Sequence, residues 1–136
     1  MVIPDDWLYE YAIVRFVPRA DRGEFINIGL IMMNKRKKWM EAKIHLDEKR
    51  LQTFFPKVDL KSLEMQCRLF ERRDVPASDL PIEEKYRWLT AEKSAVIRVS
   101  SSHPGIVFPG TQKELTPEEI MRNEFERLFN DLVLQP

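Results

Sequence analysis

Alternating apolar and polar positions near the start of the chain predict β-strands. Residues 7–17 are aromatic, β-branched and alternating, Pro18 ends the run, and residues 25–33 form a second apolar run. Residues 39–44 alternate more weakly behind a polar turn. We therefore expect three consecutive strands that pair as an antiparallel meander.

The middle of the chain has helical spacing. Asp47 is of the residue type that caps a helix N-terminus, and Pro56 ends the short segment behind it. Asp59 opens a longer amphipathic segment, and Ile82 begins another after a proline-containing connector. Residues 94–100 return to strand character.

The last helix has the clearest start signal. Thr116 and Glu119 form a capping box, with Pro117 at the first helical position. Before it, residues 101–110 contain two prolines and two glycines and are expected to be a loop, with residues 106–108 as a candidate edge strand. The apolar stripe of this helix consists of Met121, Phe125, Leu128, Phe129 and Leu132.

This order of elements predicts an α+β fold in a single domain over residues 1–136. We expect an antiparallel sheet of about four strands that begins with the three-stranded meander. We also expect helices mainly on one face of the sheet and a C-terminal amphipathic helix. A chain of 136 residues can bury such a core without disulfides or metals.

Composition and charge narrow the function classes. Lysine plus arginine and aspartate plus glutamate each number 22, so no net charge draws the molecule to nucleic acid or anionic lipid. The single cysteine, Cys67, cannot form an internal disulfide, which favours a reducing, cytoplasmic compartment of bacterial type. No apolar run approaches the roughly 20 residues of a membrane span, so we expect no membrane association.

The residue patterns of common active sites are missing from the sequence. His45 and His103 are the only histidines, and neither stands at metal-ligand spacing from Cys67, so we expect no metal site. The four glycines are scattered singly and form neither a phosphate loop nor a dinucleotide fingerprint. We therefore expect no cofactor.

The first predicted hairpin holds the main candidate site. Arg15 is within reach of Glu24 or Asn27 across the ladder, where opposed side chains are about 5 Å apart. In a functional interpretation Arg15 binds a carboxylate or phosphate, Glu24 orients it, and Asn27 adds a donor and an acceptor. Gly29 would leave a gap in the pleat for another backbone, a large side chain or a ligand. The alternative is a structural ion pair that fixes the register of the hairpin.

Two other segments carry weaker candidates. Ser100 and His103 lie at a serine-rich strand end, where turn and capping chemistry is the simpler interpretation because no orienting acid is identifiable.

The second segment, which we call the basic tip, follows the second predicted strand. It could contact nucleic acid through cations that bind phosphates and an indole that stacks on bases. Its alternative is a solvated hairpin tip that discourages edge pairing. The residues of this basic tip are Lys35, Arg36, Lys37, Lys38 and Trp39.

The opening of the chain resembles a known family. Residues 11–18 contain an apolar strand with Arg15, and residues 23–29 contain a Gly-Glu pair followed by an Asn-x-Gly pattern. Both are similar to the opening of the bacterial domain of unknown function family 3037. Residues 97–105 and 128–133 are similar to its closing region.

This resemblance implies a recurring domain and adds no mechanism, because the family carries no established activity. It marks Arg15, Glu24, Asn27 and Gly29 as the first place to look for a site. Arg98 stands where the family pattern is more neutral, which would make the fourth strand more cationic. Members sit beside genes for HipA-like toxin-type kinases, which implies a partner of that kind.

We therefore predict a small cytoplasmic, non-catalytic accessory domain that binds a partner protein. It would use an open sheet face or the end of the first hairpin that carries Arg15, Glu24 and Asn27. The rival is a small-anion-binding protein or an enzyme in which Arg15 anchors an anion, Glu24 is a general acid or base and His103 carries a proton. Such a site requires all three within about one substrate length. A third alternative is nucleic-acid binding through the basic tip, and the oligomeric state stays open.

Overall fold

Five antiparallel strands form one sheet in the computed structural model, which describes residues 5–71, 80–110 and 114–135. The strands are β1 (Leu8–Phe16), β2 (Ile26–Asn34), β3 (Trp39–Ile44), β4 (Ile97–Val99) and β5 (His103–Ile106). The order across the sheet is β3-β2-β1, and β4 and β5 both pair with the remaining edge of β1. The predicted opening meander is confirmed.

Among the described residues, four α-helices surround the sheet, and the last continues into a π-helical turn. They are α1 (Glu48–Phe54), α2 (Leu60–Glu71), α3 (Ile82–Thr90), α4 (Pro117–Phe129) and the π turn (Asn130–Leu134). Two predicted caps are present: the Asp47 side chain accepts from the Arg50 amide, and Thr116 accepts from the Glu119 amide. Most of the connector predicted before α3 lies outside the described residues.

The helices divide between the two faces of the sheet, and each face has its own core. Helices α1, α2 and α3 cover one face, around residues that include Val14, Phe16, Ile31, Leu63 and Phe70. Helix α4 and the π turn cover the other, around residues that include Leu30, Met32, Trp39, Phe125 and Phe129. The α+β class, with helices mainly on one face and an amphipathic C-terminal helix, is confirmed.

The fifth strand arises from a segment that the sequence predicts as a loop. β4 and β5 run along the same edge of β1, and residues 100–102 bulge out between them. The backbone groups of Ile13 are satisfied there by Ser100, whose Oγ accepts from the Ile13 amide at 2.9 Å. Pro104 is tolerated in β5 because an edge strand can spare one ladder hydrogen bond.

Strand β2 contains a β-bulge that sets the facing of its side chains. Val14 of β1 pairs with Gly29, but Arg15 pairs with Asn27, so Ile28 is an extra residue in the register. Ile28 and Gly29 therefore both face α1–α3, and the alternation restarts with Leu30 facing α4. This bulge turns Asn27 toward the α4 side of the sheet.

Within the described residues, no helix combines the length and apolar content that a bilayer crossing requires.

Substitution of Gly29 should destabilise the fold strongly. A Cβ added there would overlap Ile44 Cδ1 and lie 2.8 Å from the Lys43 carbonyl oxygen and 3.2 Å from Val14 Cβ. We expect Gly29→Ala to lower the free energy of unfolding by about 3 kcal/mol, the upper part of the range for overpacked cores. Urea denaturation measures this change.

Two further variants test the cause. Gly29→Ala/Ile44→Val removes Cδ1 but leaves the backbone carbonyl in place, so we expect only partial recovery of stability. Gln52→Ala on the exposed side of α1 should change stability by less than about 0.5 kcal/mol. A Gly29→Ala protein as stable as wild type would contradict the close approach.

Candidate functional site

Three polar side chains stand in a row across three strands, on the α4 side of the sheet. Arg15 lies opposite Asn27 of β2 and opposite Arg98 of β4 in the strand register. Residues directly opposite one another in an antiparallel ladder point to the same face, about 5 Å apart. We call Asn27, Arg15 and Arg98 the arginine row. Helix α4 and the π turn pack mainly over β2 and β3, and both arginines remain half-buried beside them.

The guanidinium of Arg15 contacts an aromatic ring. Its Cζ lies 4.3 Å from the centroid of Phe25, a side chain that is 46% exposed. The Nε atom of Arg15 is buried, and within the described residues it has no hydrogen-bond partner and no carboxylate forms an ion pair with this arginine. No described carboxylate therefore matches the charge of Arg15.

Asn27 has one amide atom satisfied and one that is not. Its Nδ2 donates to the Leu132 carbonyl oxygen at 3.1 Å and so fastens the π turn to β2. Its Oδ1 is buried and accepts no hydrogen bond from any described residue. An unsatisfied buried acceptor costs about 1–3 kcal/mol.

Arg98 differs from Arg15 because its charge is matched. Its Nη1 lies 2.9 Å from Glu92 Oε1, and its Nε donates to the Ala95 carbonyl oxygen at 3.3 Å. Both charged side chains of this pair are partly exposed, so the ion pair is weak and can exchange for another anion.

Glu24 and Gly29 do not lie where the functional interpretation requires them. Glu24 Oε1 lies 2.6 Å from Arg22 Nη2, and both side chains are at least half exposed. The gap at Gly29 is filled by Ile44, the Lys43 backbone and Val14, which agrees with the predicted approach of a backbone and a large side chain. Among the four residues of the predicted cluster, only Arg15 and Asn27 meet in the row.

Ser100 and His103 lie apart from the row's centre. The Ser100 hydroxyl accepts from the Ile13 amide and donates to the Ser101 carbonyl oxygen, so it serves the sheet edge. His103 pairs with Tyr11 and its ring lies 5.3 Å from that of Tyr11. Tyr11 lies four residues from Arg15 along β1, so His103 is about 13 Å from Arg15 at the usual rise of a strand. Glu24 lies beyond the other end of β1.

Comparison with known proteins gives a family. The sequence matches the family described as Protein of unknown function (DUF3037) over residues 11–133. The chain belongs to the DUF3037 family. No curated protein and no solved structure matches it. The matched part of this DUF3037 chain contains the whole arginine row.

A second polar cluster in the DUF3037 chain could not be predicted from the sequence. Tyr9 Oη donates to Glu124 Oε2 at 2.5 Å, and Arg127 donates to both oxygens of the same carboxylate at 2.9 and 2.8 Å. The spacing of Glu124 and Arg127 is readable as a helical ion pair, but Tyr9 is 115 residues away along the chain.

The ionisation of this cluster follows from its burial. Burial, together with the hydrogen bond to the Glu124 carboxylate, raises the pKa of the Tyr9 phenol well above its ordinary value. Burial alone would raise the pKa of Glu124, but hydrogen bonds from Arg127 and Tyr9 outweigh it and hold that pKa below its ordinary value. The cluster is a neutral phenol bonded to a charged, arginine-paired carboxylate at neutral pH.

The basic tip does not offer its indole to a ligand. Trp39 is 7% exposed, and its ring packs edge-on against Phe125 with centroids 6.2 Å apart. The turn is built by Asn34, whose Oδ1 accepts from the Lys37 amide and whose Nδ2 donates to the Asp6 carbonyl oxygen. The nucleic-acid alternative needs a base to stack on Trp39, but the buried ring offers no free face to a base.

Loss of the Tyr9 hydroxyl should cost stability at neutral pH. Tyr9→Phe leaves a largely buried carboxylate with one donor fewer, so we expect the free energy of unfolding to fall by about 1.5–3 kcal/mol. Tyr11→Phe is the matched control because the Tyr11 hydroxyl makes no hydrogen bond to a described residue. Urea denaturation of both variants at pH 7 makes the comparison.

The same difference should shrink in alkali. The unfolded phenol ionises near its ordinary pKa of 10.0, whereas the folded Tyr9 has a higher pKa. Above pH 10 the wild type therefore loses up to about 1.4 kcal/mol per pH unit relative to Tyr9→Phe. Burial also raises the pKa of Tyr86, to about 12, but that residue is common to both proteins. A pH-independent difference would contradict this assignment.

Proposed function

We propose that the chain is a non-catalytic binding module that holds an acidic segment of a partner protein against the arginine row. The observation that carries this proposal is the state of Arg15. Its cation lacks a described carboxylate, its Nε lacks a described acceptor, and it stands beside an exposed aromatic ring.

The charge and shape of this surface favour a protein ligand. Arginine presents a planar fork that matches a carboxylate, and arginine with an aromatic side chain is the combination enriched at binding hot spots. Arg98 adds a second cation directly opposite Arg15 across the ladder. An extended segment of a partner protein could lie across the strands that carry this row.

The two arginines supply the groups that a partner can reach. Asn27 Oδ1 and Arg15 Nε are buried, whereas the side chains of Arg15 and Arg98 are each only partly buried. An acidic segment would therefore bind through its carboxylates to these two guanidinium groups.

Catalysis is the less supported alternative. Glu24 is paired with Arg22 at the start of the hairpin, and His103 lies about 13 Å along β1 from Arg15. A general acid and a proton carrier must approach one substrate within hydrogen-bond distance, and these two residues do not converge.

The partner to test first is a HipA-like kinase, the class of partner that the resemblance to the family implies. An acidic segment on that kinase would be the part that contacts Arg15.

Affinity purification from the source organism tests the proposal. The full chain carries a tag, and wild type is compared with Arg15→Ala and with Arg87→Ala, an exposed arginine on α3 that pairs with Glu84. We expect one protein in stoichiometric amount with wild type and Arg87→Ala and its loss with Arg15→Ala. Circular dichroism confirms that each variant is folded.

The captured protein is then purified and titrated directly by calorimetry. Arg15→Ala should weaken binding at least about tenfold, the loss expected for a charged hydrogen bond. Equal affinity of wild type and Arg15→Ala would refute the arginine row as the docking surface. A wild-type chain that retains no protein would remove the binding-module proposal altogether.

A further inference from the structure

A separate cleft of about 320 Å³ lies at the basic tip, far from the arginine row. The turn between β2 and β3, the start of α3 and the first turns of α4 form its walls. Asn27 and Asn34 mark the two ends of β2, so the cleft and the row are at opposite ends of that strand. The charged residues that line the cleft are Lys37, Lys38, Lys85, Glu118 and Arg122.

The positive charge in this cleft exceeds the negative charge. Arg122 is matched by two carboxylates, with Nη1 3.0 Å from Glu41 and Nη2 3.5 Å from Glu118. Lys37 already has partners, because its ammonium lies 4.5 Å from the centroid of the Trp7 ring and 3.8 Å from an Asp6 carboxylate that is mostly exposed. The cleft therefore has cations to spare once Arg122 is accounted for.

Lys38 and Lys85 supply that surplus. Within the described residues neither ammonium forms an ion pair, and the two come from different elements, the β2–β3 turn and α3. Lysines that line one concave surface from two elements are a common way to bind phosphate oxygens. A phosphate group fits easily in a cleft of this volume.

The backbone at Lys38 adds an independent argument. Its φ angle is +51°, a left-handed conformation in which a residue with a Cβ is strained and glycine is not. The turn thus keeps a strained lysine at the mouth of the cleft where glycine would fit better. Strain of this kind concentrates at binding sites.

We propose that this cleft binds a small anion of the phosphate class, with the ammonium groups of Lys38 and Lys85 on its oxygens and Lys37 beside them. Arg122 also lines the cleft but is held by Glu41 and Glu118. Because Trp39 is buried against Phe125, the indole that lines the cleft offers no face to a base, which favours a small anion over a nucleic-acid strand.

Calorimetric titration of the full chain with inorganic pyrophosphate at 0.15 M salt tests the site. We compare wild type with Lys38→Gly, Lys85→Gln and the control Lys57→Gln, which removes an exposed charge outside the cleft. Lys38→Gly and Lys85→Gln should each weaken binding about tenfold, and Lys57→Gln should not.

Lys38→Gly keeps the result interpretable, because it removes a charge and relieves backbone strain together. Its melting temperature should equal or exceed that of wild type, so weaker binding cannot come from unfolding. Arg15→Ala should bind pyrophosphate like wild type, which separates this site from the proposed protein-binding surface.

The source of the phosphate is tested by titrating ADP and inorganic phosphate in parallel. Affinity for ADP equal to that for pyrophosphate supports recognition of the phosphates alone, and tighter ADP binding supports an organic phosphate as the ligand. Equal pyrophosphate affinity of the Lys38→Gly, Lys85→Gln and Lys57→Gln proteins would overturn the proposal, as would the lack of measurable binding by wild type.

Discussion

At Ile28 and Gly29, two consecutive residues of β2 face the same side of the sheet, and most of the molecule depends on that bulge. Ahead of it, Ile26 and Ile28 face α1–α3; behind it, Leu30 and Met32 face α4. The bulge is possible because Gly29 has no side chain where the Lys43 backbone, Ile44 and Val14 approach. Both hydrophobic cores and the facing of the polar residues thus follow from one missing Cβ.

The functional consequence lies one residue before the bulge. Without the extra residue, either Asn27 or the apolar positions beyond it would face the wrong layer. With it, Asn27 lies beside Arg15 on the α4 side, where it also holds the π turn through the Leu132 carbonyl oxygen. The same side chain therefore fastens the C-terminal helix and leaves a buried acceptor, unsatisfied by any described residue, beside Arg15.

Local patterns in the sequence were enough to predict the strands, the helix caps and the side of β1 on which Arg15 lies. The bulge escaped prediction because Asn-Ile-Gly fits a regular strand equally well, and only the partner strand shows the shifted register. The candidate edge strand at residues 106–108 overlaps β5 only at Ile106, because Pro104 and Gly105 are typical of a loop, although an edge strand tolerates them.

The candidate sites were harder to predict because they depend on long-range packing. The sequence indicated that Arg15 and Asn27 are neighbours. It could not show that Glu24 pairs with Arg22, because several charged residues lie near Glu24 in the sequence. Burial of Trp39 depends on Phe125, and the Tyr9–Glu124 bond joins the two ends of the chain. Lys85 joins the basic tip only through the docking of α3, which no local pattern encodes.

The facing of Asn27 can be measured directly by nuclear Overhauser effects in the isotope-labelled chain. If the bulge sets the arginine row, the Asn27 side-chain amide protons will show cross-peaks to Leu132 in the π turn and to Arg15. Cross-peaks to Leu63 or Leu89, in the core on the other face, would show that Asn27 points away from Arg15 and would contradict the arginine row.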